Sequence, residues 1–166
     1  MAGSILITYG TRPLAQRVGK LLQGAYEVQF GSAADIPHVL LQTGKYIQLP
    51  GADTAAFEHA LLRICLDSSI DVVIPLGTKE IDFLVATKQL FAEYGIAIWV
   101  PDAAYGAFDR LVNPERRLPL VVLNHGVAVA GELQEVQPDM LSPVMLSGVF
   151  AQPVPMDGLA LCCIAD

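Results

Sequence analysis

The chain has 166 residues, 53% of them hydrophobic and 16% charged, which excludes intrinsic disorder and suits a single domain with its own core. Ten Lys and Arg against seventeen Asp and Glu leave a net charge of -7. No basic block stands anywhere, so no nucleic-acid partner is expected.

Residues 4–9 (SILITY) form a short apolar run ending at Gly10 and read as a strand buried on both faces. Thr11 is placed to cap a helix, and Pro13 suits its first turn. Leu14, Ala15, Val18, Leu21 and Leu22 recur at helical spacing, and Gly24 closes the helix. Residues 26–30 read as a second strand, 35–41 as a short helix or turn, and 45–49 as a third strand ending at Pro50. Asp53 is placed to cap the next helix, whose apolar stripe is Phe57, Leu61, Ile64 and Cys65. Residues 71–76 (DVVIPL) read as a buried fourth strand. Gly77-Thr78 opens a long helix with Ile81, Leu84, Val85 and Phe91 inside and Gly95 as its stop. Residues 96–100 are a fifth strand, ended by Pro101-Asp102.

Strands alternating with helices of this length give an α/β fold with parallel pairing and right-handed crossovers. The expectation for residues 1–102 is a Rossmann-like three-layer sandwich with a mainly parallel sheet. Residues 103–166 are expected to pack on it as an irregular, strand-rich C-terminal extension. There Asn113-Pro114 reads as a cap and first turn, and Asn124-His125-Gly126 as a helix end. Pro119 and the β-branched Val121-Val122 leave helix and strand both open over 114–125. Residues 144–150 and 159–164 read as strands.

Residues 140–165 carry one charge, Asp157, and the mean hydropathy of the chain is +0.47. Pro143, Pro153, Pro155, Gly148 and Gly158 would break a spanning helix repeatedly. Buried strands or an oligomer contact are therefore expected, with no membrane partner, and the apolar excess points to a homodimer. Cys65, Cys162 and Cys163 lack metal-ligand spacing, and His38, His59 and His125 lie far apart, so no metal is expected. An odd cysteine count without a disulfide framework, and no signal-peptide pattern at Met1, read as a reduced, cytoplasmic protein. Cys162-Cys163 reads as packing, and His125 as a helix-end residue rather than a base.

In an open parallel sheet, ligands sit beyond the carboxyl ends of the strands. That rule selects Gly10, Thr11 and Arg12 after the first strand, Gly31 and Ser32 after the second, Gly77, Thr78, Lys79 and Glu80 after the fourth, and Asp102 after the fifth. The ligand-binding candidates are Gly10, Thr11, Arg12, Ser32, Thr78, Lys79 and Glu80. Arg12 is the strongest, because a guanidinium beside a helix N-terminus adds its charge to backbone N–H groups and the helix dipole.

Several chemistries lack their motifs. The first turn reads Tyr9-Gly10-Thr11-Arg12-Pro13, with one glycine, and Pro13 has no N–H donor. Phe30-Gly31-Ser32 closes the second strand without an acidic residue for a ribose. Dinucleotide binding in the usual mode is not expected. Neither a phosphate-binding G-x-x-x-x-G-K-[ST] loop nor a G-x-S-x-G elbow occurs. No cofactor is expected.

The ordered pieces Ile5-Leu6-Ile7-Thr8-Tyr9-Gly10-Thr11-Arg12, Tyr26-Glu27-Val28, Tyr46-Ile47-Gln48-Leu49-Pro50, Ile70-Asp71-Val72-Val73-Ile74-Pro75-Leu76, Glu80 and Gly95-Ile96-Ala97 carry a likeness. Over residues 4–102 the chain resembles the N-terminal pre-ATP-grasp domain of ATP-grasp ligases, in their carbamoyl-phosphate-synthase-like branch. The resemblance implies a domain that packs beside the ATP-grasp module and helps to hold the acceptor substrate, without transferring phosphoryl groups itself. Asp109-Arg110 resembles the family's Asp-Lys pair, and residues 124–130 its Gly-Val-Pro segment with the prolines gone. Residues 143–148 resemble its nucleotide-binding strand, with Ser147 where a lysine would stand. No acidic metal ligands for an ATP-grasp centre are found.

The expected function is therefore a stand-alone pre-ATP-grasp-like domain, non-catalytic, that binds a small anionic ligand or serves assembly. One alternative is half of a split ATP-grasp ligase completed by a partner chain. Another is an independent Rossmann-like enzyme.

Overall fold

The computed structural model describes residues 3–102, 109–131, 146–152 and 159–165. The first half is a Rossmann-like sandwich. Strands β1 (Ser4–Ile7), β2 (Glu27–Ser32), β3 (Tyr46–Gln48), β4 (Val72–Ile74) and β5 (Ala97–Ile98) pair in the order β3-β2-β1-β4-β5, all parallel. Helices α1 (Pro13–Leu22), α2 (His38–Leu41), α3 (Phe57–Asp67) and α4 (Thr78–Glu93) connect them.

Local chemistry accounts for the helix ends, with corrections to the sequence reading. The α1 N-cap is Arg12, not Thr11, and no side chain caps the helix, because Pro13 at the first position fixes the entry. Asp53 does not cap α3. Thr54 Oγ1 donates to the Gly51 carbonyl at 2.7 Å, and this local turn delays the helix to an Ala56 N-cap. At the end of α4, Gly95 takes φ +77 and its N–H donates to Ala92, while Ile96 N–H reaches back to Phe91. Ser69 plays the same part after α3 at φ 54, in a region that suits glycine better.

The second half is a mixed sheet of β6 (Arg110–Val112), β7 (Leu120–Asn124), β8 (Val127–Gly131), β9 (Gly148–Ala151) and β10 (Ala160–Cys163). Its order is β6-β10-β9-β7-β8. The open choice over 114–125 resolves to strand at Leu120–Asn124, while residues 114–119 are turn and irregular backbone. Asn113 does not start a helix: it sits at φ 50 where β6 ends, and its Oδ1 accepts the Ala165 N–H. Asn124-His125-Gly126 is not a helix end either. His125 at φ 49 and Gly126 at φ 80 form the two-residue loop of a β7–β8 hairpin, the twist such hairpins require. The expected strand over 144–150 begins in residues 144–145, which lie outside the described residues.

Two hydrophobic clusters explain the apolar tail. One joins Leu6, Val73, Phe57, Leu61, Leu84 and Phe91 to Val121, Leu123, Phe150, Leu161 and Cys163. The other joins Ile5, Ile7, Leu14, Val18, Phe30 and Ile74 to Leu120, Val122, Val149, Cys162 and Ile164. Alternate residues of β1, β7, β9 and β10 thus fall on opposite sides, α1 covering one and α3 with α4 the other. A parallel bridge between Gly77 and Ile164 links the second sheet to the end of the first, and the inner strands of the second are buried on both faces. Ile164 N–H donates to the Leu76 carbonyl at 2.7 Å, and Thr78 N–H donates to the Ile164 carbonyl at 3.2 Å, fastening the tail to the end of β4. Arg17 on α1 donates to the Glu115 and Leu118 carbonyls, and Arg110 pairs with Asp82 on α4. Among the described residues no helix is long and apolar enough to cross a membrane.

Candidate functional site

The order β3-β2-β1-β4-β5 places its switch point between β1 and β4, where the chains leave in opposite directions and a ligand crevice would open. This crevice is lined by the protein's own groups. Thr8 Oγ1 accepts the Leu76 N–H at 2.9 Å, holding the two strand ends together. Tyr9 takes φ 53 and lays its ring across Gly77, where a Cβ would fall within 2.9 Å of the phenol oxygen. The Ile164 backbone occupies the neighbouring edge.

The sequence-derived residues separate into two groups. Gly10, Thr11, Arg12 and Ser32 come together at the ends of β1 and β2, where Gly10 N–H donates to the Gly31 carbonyl at 2.8 Å. Thr78, Lys79 and Glu80 stand at the start of α4, beyond the Tyr9 ring. Thr11, Arg12 and Lys79 are exposed, Thr78 is half-buried, and Glu80 is only 2% exposed. Ser32 is also buried, and its hydroxyl accepts the Ala34 N–H within its own turn. Asp102 pairs with Lys88, whose Nζ donates to Asp102 Oδ1 and to the Val100 carbonyl, each at 3.0 Å.

Three residues at this end were not legible as site residues. Gln16 Nε2 donates to the Gly10 carbonyl at 2.6 Å and to the Tyr46 hydroxyl at 3.0 Å. Tyr46 also packs its ring on Phe30, with centroids 5.4 Å apart. Gln48 Nε2 donates to the Ser32 and Ala34 carbonyls. These side-chain amides fix the turns that carry Arg12 and Ser32. No spacing signal could have found them, since Gln16 and Tyr46 meet across 30 residues of sequence.

Electrostatics distinguish the two helix starts. α4 carries the buried Glu80 in its first turn, whereas α1 has no acidic residue there. Among the described residues Arg12 makes no ion pair. Among the same residues no group of three or more His, Cys, Asp or Glu is placed to hold a metal ion. A scan against protein-family models finds no match, and a search of curated proteins finds no relative.

Cys65, Cys162 and Cys163 are buried and form no disulfide. Burial pushes the Cys65 thiol from 9.0 up to about 12. Cys162 also rises to about 12, through burial first and Cys163 second, with Arg17 acting in the opposite direction. Neither thiol is an activated nucleophile near neutral pH. Unfolded thiols ionise near pH 9 while the folded ones stay protonated to about 12, so their contribution is complete below about pH 9 and lost as pH climbs towards 12. Denaturant midpoints measured from about pH 8 to about pH 11 should fall, and Cys65→Ala should flatten that slope. An unchanged slope would contradict the assignment to Cys65.

Proposed function

We propose that the chain is a non-catalytic, pre-ATP-grasp-like module that holds a small anionic ligand through Arg12. The observation that carries this reading is the contrast between the two helix starts at the carboxyl ends of the strands. A helix N-terminus favours negative charge by about 0.3–1 kcal/mol at an exposed position. At α4 the protein's own Glu80 occupies the first turn, and at α1 no acidic residue does. Arg12 adds a planar donor fork suited to carboxylate or phosphate. Gln16 and Gln48 hold the surrounding turns in place, so a ligand would meet a site already ordered.

The parallel order β3-β2-β1-β4-β5 is a Rossmann-like sheet, the fold that the resemblance expects over residues 4–102. Ser147, standing where that family has a lysine, is buried, and its hydroxyl accepts the His125 N–H at 3.0 Å. It pins the β7–β8 hairpin, a packing role in place of nucleotide contact. On this reading the chain works in the reducing cytoplasm.

The test is thermal unfolding with inorganic phosphate, bicarbonate, carbamoyl phosphate and acidic amino acids, each with and without Arg12→Ala. A ligand at about 100 times its Kd adds about 2.7 kcal/mol. The expected result is stabilisation by one small anion, lost in Arg12→Ala. Stabilisation that survives Arg12→Ala, or none with any anion, would overturn the proposal. A homodimer belongs to the same proposal, on the 53% hydrophobic composition. Light scattering should return twice the 17.8 kDa chain mass, and a monomer mass would remove that part.

A further inference from the structure

We draw no further inference here: the strongest candidate, the uncharged edge strand β8 (Val127–Gly131) of the second sheet with its exposed Val127, carries nothing because nothing in the structure shows what covers it.

Discussion

Gly10→Ala should destabilise the protein by about 2–3 kcal/mol, a cost at the upper end of that for overpacking a rigid site. A methyl at this position would fall on the Cβ of Phe30 and lie 3.2 Å from the Gly31 nitrogen and the Phe30 Cα. These are backbone and near-backbone atoms, so no side-chain rotation relieves the contact. Moving the turn instead would break the Gly10 N–H bond to Gly31 and the Gln16 bond to the Gly10 carbonyl. The same movement displaces Arg12, so any anion stabilisation should weaken together with the fold. Gly24→Ala is the control, because a Cβ there meets nothing within 4 Å. Urea unfolding of both variants decides the matter: a lowered midpoint for Gly10→Ala alone, at unchanged slope, is expected. Equal stability of Gly10→Ala and the parent would show that the turn can yield.

Phe150→Ala should cost about 3–5 kcal/mol, the range for removing a fully buried ring. Phe150 is 0% exposed on β9 and belongs to the cluster that contains Leu6 of β1, Phe57 of α3 and Phe91 of α4. The loss should therefore reach the first sheet. Trp99 is the single tryptophan and lies after β5, with its backbone N–H donating to the Val73 carbonyl and its ring edge-on to Tyr26 at 5.9 Å. Its fluorescence reports on the parallel sheet from the other cluster. In Phe150→Ala the fluorescence and circular-dichroism transitions should move together and remain coincident. A tryptophan transition left at the parent midpoint would mean that the two sheets unfold separately.

Much of the first half was legible in the sequence because its signals are local. Apolar runs such as residues 4–9 and 71–76 announce strands buried on both faces, and the spacing of Leu14, Val18 and Leu22 announces a helix with one inward side. Gly95 was legible as a stop because a left-handed residue there favours glycine. The caps were less legible. Thr11 and Asp53 have the right side chains, yet Pro13 and the Thr54 turn set the starts of the helices one and three residues later. The His125-Gly126 pair signals a reversal in either a hairpin or a helix end, and only its neighbours in space choose between them. The candidate site was half legible. Arg12 follows from the rule about strand ends, whereas Gln16, Tyr46 and Gln48 are joined to it only by folding.

By itself the sequence determined the alternation of strand and helix, and with it the parallel sheet and the end at which Gly10 and Arg12 stand. Periodicity fixes these because each element must bury its own apolar face. Tertiary structure alone decided where the apolar tail goes and what fills the switch point. Residues 146–152 and 159–165 carry no signal that says whether an apolar strand meets its own chain or another copy. The answer came from backbone hydrogen bonds between Ile164 and the Leu76–Thr78 segment, and from side chains of β9 and β10 entering both clusters. Those contacts span most of the chain's length, and burial of an apolar surface is non-directional, so no local pattern could encode its destination.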